Sequence, residues 1–236
     1  MMPIGTIGRD RYKPYATYVL IFINVVVFMW EMLYLRSNGE IEFLNVLMNL
    51  TFNVCDIGLR PLPVMMRNGL FSMFLHGSLL HVAGNMMFLW VFGRKVEEYF
   101  GRATYVIVYL LAGYIAIAGH AGLGGVVCST STDGLLVGAS GAVAGIMGSF
   151  LFLHPGVKIR TSILGAMQFK VPAFFFLIFW FVNDFLQGVG WFAADGDPVA
   201  HWAHIAGFIF GFALVFITTM FWKPAPKVDP FAYLDE

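Results

Sequence analysis

Six apolar runs, each close to the length of a bilayer crossing, limit what this chain can fold into. They cover roughly Tyr15–Leu35, His76–Gly93, Ala103–His120, Leu135–His154, Val171–Phe192 and Val199–Trp222. A backbone in hydrocarbon must satisfy its own hydrogen bonds, and about 20 apolar residues per crossing do so as a helix. Of the 236 residues, 59% are hydrophobic and 12% charged, against about 25% charged in a soluble globular chain. The sequence therefore predicts an all-α membrane protein with six transmembrane helices over residues 15–222. Residues 1–14 form a segment before it, and 223–236 a tail after it. The first run is too long for the apolar part of a signal peptide and lacks a small-residue cleavage site, so it reads as a retained span. With no basic block and no GxGxxG or Walker motif, nothing points to nucleic acid or a nucleotide cofactor.

The basic residues give an orientation. If connections alternate sides, 11 of the 14 lysines and arginines share the side of the N-terminus. They include Arg9, Arg11, Lys13, Arg94, Lys95, Arg102, Lys158, Arg160 and Lys170; Arg36, Arg60 and Arg67 fall opposite. The positive-inside rule then makes both termini cytoplasmic (N-in/C-in), as in a multi-pass protein of a prokaryotic plasma (inner) membrane. The first loop, about 36–70, is long and amphipathic and is expected to lie in the outer interface. Cys55 and Cys128 both fall on the outer side. Two free thiols in loops are the expectation, since spacing alone does not decide a disulfide.

This topology gathers polar residues at one depth. His81 lies one to two turns below the outer surface in the second span, and Asn85, four residues on, shares its helix face. Ser140 is near the outer end of the fourth span and His204 about one turn into the sixth. Gly141, Gly145 and Gly148 give the fourth span a small-residue surface; Gly207 and Gly211 give the sixth a GxxxG face shared with His204. If those faces meet, His204 comes near Ser140. A fourth helix from Ser140 to His154 is only about 22 Å long, against about 30 Å of hydrocarbon, which leaves room for water above its N-terminus. Serine is a weak nucleophile without a base, and neutral histidine is the usual base. Ionisable groups in spans are costly and point to function. The pair predicts a nucleophile and base for hydrolysis inside the membrane. The Ser140 N–H, the His81 ring and the Asn85 amide are candidate donors to an oxyanion, and Gly138 and Gly141 admit a bent backbone and a close substrate strand.

These residues carry a resemblance. The segment Phe74-Leu75-His76-Gly77-Ser78-Leu79-Leu80-His81-Val82-Ala83-Gly84-Asn85-Met86 resembles the second-helix signature of rhomboid proteases. Gly138-Ala139-Ser140-Gly141 resembles their nucleophile motif, and Ala203-His204-Ile205-Ala206-Gly207 their sixth-helix motif. The resemblance implies a six-helix rhomboid-like bundle with a short central fourth helix. It implies an intramembrane serine endopeptidase with a Ser140–His204 dyad and with His81 and Asn85 at the oxyanion, where the residue reading also puts Gly138. Its partners would be transmembrane protein substrates cut near the outer membrane face, with no metal and no cofactor. It also implies a mobile gate, here Phe174–Trp191 and the loop Phe192–Pro198. Two departures stand out. Some members stack a tyrosine on the histidine from four residues after the serine, where this chain has Ala144, and some carry Trp-Arg where this chain has Arg67-Asn68.

Other polar residues receive plainer readings. Asp184 is taken as the only acidic residue well inside a span. Because the resemblance implies a dyad, it reads as a protonated or water-exposed carboxyl near the gate rather than a third triad member. His201 and His204 form HxxH, but no acidic or cysteine partner is evident at that depth, so His201 reads as interfacial packing. His76 reads as structural. A catalytically inactive relative that binds transmembrane clients is the alternative function. A transporter would call for inverted repeats or a charged pathway, and neither is evident.

Overall fold

The computed structural model describes residues 2–6, 13–130, 132–163, 167–191 and 199–221. It is mostly helical, and its helices follow the apolar runs in order. Helix α1 (Tyr15–Asn38) leads into α2 (Glu40–Leu50) and α3 (Leu62–Ser72) of the first loop. Helix α4 (Leu79–Phe88) passes through a π-helical turn (Leu89–Gly93) into α5 (Arg94–Phe100), so helical conformation continues beyond the apolar run that announced it. Then come α6 (Arg102–Leu123), α7 (Ser140–Leu153), α8 (Ala173–Gly188) and α9 (His201–Phe221). Helices α1, α6 and α9 are long and apolar enough to cross a membrane by length and composition; α7 and α8 are apolar but shorter. The 14 residues of α7 span about 21 Å. Every residue from Gly141 to Leu151 is buried, so α7 is the central helix.

Two buried carboxylates tie helices together. Helix α1 starts after Pro14 without a side-chain cap of its own. Glu97 on α5 supplies one, accepting from Ala16 N–H (3.0 Å), Thr17 N–H (2.7 Å) and the Thr17 hydroxyl (2.8 Å). Anionic oxygens meet the free N–H groups that every helix start exposes. Glu31, fully buried in α1, accepts the His76 backbone N–H at 3.0 Å. Asp184 is therefore not alone as an acid inside an apolar run, because Glu31 also lies in one and the His76 amide satisfies it.

The fold is not wholly α. Strands β1 (Met2–Thr6), β4 (Lys158–Ile163) and β5 (Met167–Pro172) form an antiparallel sheet in the order β1-β4-β5. Lys158, Ile159, Arg160 and Thr161 alternate exposed and buried, the period-two pattern of a strand. The sheet brings the start of the chain against the α7–α8 connection, two segments assigned to one side by their basic residues. A second pair, β2 (Phe52–Asn53) with β3 (Leu135–Leu136), joins the first loop to the approach to α7.

That pairing also corrects the expectation of free thiols. It lays the two loops side by side, and Cys55 and Cys128 form a disulfide with Cα atoms 5.7 Å apart. Close by, Asp133 accepts from the Thr130 hydroxyl and from the Thr130 and Ser129 N–H groups, which holds its carboxyl below the usual range. In the first loop Arg67 donates to Asn68 Oδ1 (3.1 and 2.9 Å), and Asn68 Nδ2 donates to Thr51 O (3.0 Å). This Arg-Asn pair ties α3 to the end of α2. Ile41, Leu59 and Leu62 stay largely exposed, as an interfacial loop requires. The loop Phe192–Pro198 and the tail 223–236 lie outside the described residues, as does half of the segment 1–14.

Candidate active site

The α7–α9 contact is made of backbone. A Cβ on Gly207 would strike the Gly141 carbonyl oxygen, and one on Gly211 would strike that of Gly145. A Cβ on Gly148 would strike the Phe208 carbonyl, and Ser149 Oγ donates across the seam to Gly211 O (3.1 Å). The two glycine faces do meet, and the seam sets the distance between the helices.

At the upper end of that seam Ser140 Oγ lies 2.7 Å from His204 Nε2. His204 Nδ1 lies 3.0 Å from Asp184 Oδ2 on α8, and the other oxygen, Oδ1, lies 2.9 Å from His201 Nδ1. A carboxylate only accepts, so both histidines carry their proton on Nδ1 and His204 Nε2 keeps its lone pair for the serine hydroxyl. Trp180, also on α8, lies against His204 with ring centroids 5.8 Å apart and planes inclined by 35°. Asp184 is only 6% exposed. The plain readings of Asp184 and His201 were thus mistaken. The carboxyl has two partners inside the bundle, and an acidic partner for HxxH stands at the same depth. Trp180 supplies the ring that Ala144 lacks.

Ser140 opens α7, and the first intrahelical bond of the helix runs from Val143 N–H to Ala139 O (2.9 Å). The Ser140 N–H therefore precedes the hydrogen-bond ladder, where helix N–H groups are free to meet an anion. Gly138 makes the turn at φ 121°, a conformation that L side chains avoid, and its N–H donates to Ser72 O (2.9 Å). A Cβ there would sit 2.6 Å from His81 Cε1 and 3.6 Å from Asn85 Nδ2. His81 and Asn85 thus pack against the bare Gly138 backbone beside Ser140.

Asn85 is held from behind. His76 Nδ1 lies 3.1 Å from Phe74 O and its Nε2 lies 3.0 Å from Asn85 Nδ2. A carbonyl only accepts, so Nδ1 carries the proton, Nε2 accepts from Asn85, and one amide N–H of Asn85 remains for another acceptor. Glu31 fixes the His76 backbone in turn. His81 takes its place from Ser78, whose Oγ caps α4 by accepting the His81 N–H (3.2 Å).

Ser140, His204, His81 and Asn85 share a cavity of about 220 Å3 with Leu80, Phe88, Val143, Met147 and Trp180. Four of the five residues singled out in the sequence meet there, and the fifth, Gly138, packs against His81 and Asn85 beside it. Asp184, Trp180, His76 and Glu31 were missed as parts of the site. The signals were present: one carboxyl in the fifth run, and a histidine five residues before His81.

The model of the Rhomboid domain matches residues 65–221 of this chain. Over 152 residues the chain is 32% identical to RHOMBOID-like protein 6, mitochondrial, of Arabidopsis thaliana, covering 63% of this chain and 42% of that protein. Over 147 residues it is 27% identical to rhomboid protease GlpG of Salmonella newport and of Salmonella typhi, covering 62% of this chain and 46% of each relative. The chain thus spans less than half the length of these curated relatives.

Proposed function

The chain belongs to the rhomboid family, and from that premise we propose that it is an intramembrane serine endopeptidase. One observation carries the reading. A serine hydroxyl at a helix start lies 2.7 Å from a histidine Nε2 whose Nδ1 is held by a buried carboxylate. Ser140 is the nucleophile and His204 the base that takes its proton and later gives it to the leaving amine. Asp184 is a positioning residue that keeps His204 in the required tautomer, so the working unit is a triad rather than a dyad. The Ser140 N–H, the free Asn85 amide N–H and the His81 ring receive the oxyanion beside Gly138. Glu31 and His76 position Asn85.

Substrates are transmembrane proteins whose helix unwinds to bring a carbonyl to Ser140. Six helical passes carry the site: α1, α4–α5, α6, α7, α8 and α9. Both termini lie in the cytoplasm of a prokaryote with the site toward the outer face. The β1–β4 pairing supports this, since it joins two segments assigned to one side.

The test is cleavage of a single-span model substrate in proteoliposomes, with the new N-terminus sequenced. A cut inside or beside the span, lost in Ser140→Ala, is expected. A folded wild type that binds the span without cutting it would favour the client-binding alternative.

A further inference from the structure

A triad needs one histidine on its carboxylate, and this site has two. His201 and His204 stand three residues apart on one face of α9. Their Nδ1 atoms take separate oxygens of Asp184, at 2.9 and 3.0 Å. A ligand atom from each of the three residues lies within 4.8 Å of the others. The cluster is enclosed, with side-chain exposures of 9% for His201 and Asp184 and 12% for His204. His204 also lines the cavity, which puts the cluster one side chain from open space.

Two imidazoles and a carboxylate are a donor set suited to Zn2+. Donors in a tetrahedral shell of about 2.1 Å radius stand about 3.4 Å apart. The two histidine–carboxylate distances need to open by about 0.5 Å, and a donor pair at the 4.8 Å limit needs to close by about 1.4 Å, to admit the ion. Mg2+ and Ca2+ ask for more oxygen ligands than the cluster offers.

We propose that Asp184, His201 and His204 form an inhibitory site for a Zn2+-class divalent cation, which stops the protease by occupying the Nδ1 atom of its base. The inference rests on the Ser140–His204 reading above. The block concerns one proton. In the metal-free site His204 carries it on Nδ1 and keeps the Nε2 lone pair toward Ser140. A neutral imidazole bound to metal through Nδ1 carries its proton on Nε2. The proton moves from one ring nitrogen to the other through water, with no bond to carbon broken and no change of oxidation state. Nε2–H can then donate to the serine oxygen but cannot accept its proton. His201 undergoes the same exchange and supplies the second nitrogen, and water fills the remaining coordination position.

The test uses the whole chain in detergent without a polyhistidine tag. ZnCl2 binding is followed by calorimetry, in parallel with cleavage of the model substrate. At about ten times the dissociation constant, about a tenth of the activity is expected to remain. EDTA restores it, and MgCl2 has no effect. His201→Gln loses the calorimetric site, and its activity, relative to its own metal-free rate, becomes insensitive to Zn2+. Asp184→Asn serves the binding arm if His201→Gln does not fold. Ser140→Ala binds Zn2+ like the wild type, so this arm reads the site whether or not the chain is a protease. Binding that survives in both His201→Gln and Asp184→Asn, or unimpeded cleavage at saturating Zn2+, overturns the inference. Metal-free wild type that folds but neither cleaves nor takes a serine-directed probe overturns the protease reading instead, and the binding data still judge the metal site.

Discussion

Helix α9 meets α7 on one side and α8 on the other, and the two contacts are built from opposite materials. Toward α7 it presents Gly207 and Gly211, which rest on the carbonyls of Gly141 and Gly145. Toward α8 the contact is made of large rings: Phe208 of α9 lies 5.0 Å from Phe181 and stacks on Trp180 at 6.1 Å. The difference reaches the site. Backbone against backbone leaves no rotamer to adjust, so the seam fixes how far Ser140 stands from His204. Side chains from α8 fix only the direction of the His204 ring, through Asp184 and Trp180. Helix α8 is also the more exposed partner. Phe174, Phe175, Phe179, Val182 and Phe185 all face outward, whereas α7 is buried along its middle. Separation and orientation in this site thus come from different helices.

Substitutions can break that division, and the largest effect belongs to the seam. Gly211→Leu drives a side chain into the Gly145 carbonyl, which costs more than about 3 kcal/mol. It should abolish both fold and activity, read as a collapsed thermal transition in detergent. A folded, active variant would mean that the seam does not set the separation. Asn85→Ala belongs to neither interface. It should keep the fold and, from its proposed role as an oxyanion donor, slow the reaction about 10²–10³-fold. Asp184→Asn should leave thermal stability close to wild type and lower kcat about 100-fold, with KM changed less than about twofold. An equal loss in kcat and in stability would make Asp184 a packing residue. Trp180→Phe keeps an aromatic face on His204 and should cost less than about tenfold in kcat. A larger loss than that of Asp184→Asn would make the ring, and not the carboxylate, the main support of His204.

The same contrast explains what the sequence disclosed. Glycines spaced by three and four have one structural meaning in an apolar helix, so the α7–α9 seam was legible, and with it the meeting of Ser140 and His204. His81, Asn85 and Gly138 followed from shared depth and helical spacing. Asp184 was visible as a carboxyl but not as a partner, because which face of α8 turns toward α9 depends on ring packing that periodicity does not encode. The resemblance to dyad enzymes pulled its reading the wrong way. His201 was misread for the same reason, its partner being on another helix. The Cys55–Cys128 bond depends on the short β2–β3 pairing, which four residues with no turn signal between them do not announce. The β4 alternation Lys158-Ile159-Arg160-Thr161 was readable, but it lies in a connection whose basic residues point first to orientation.

The most direct measurement is labelling by a fluorophosphonate probe of the purified wild type, Ser140→Ala and His204→Ala, each checked for folding. Wild type should take one probe per chain, and both variants should take none, because the hydroxyl is reactive only with its base 2.7 Å away. Labelling that persists in folded His204→Ala, or a folded wild type that stays unlabelled, would contradict a serine activated by that histidine.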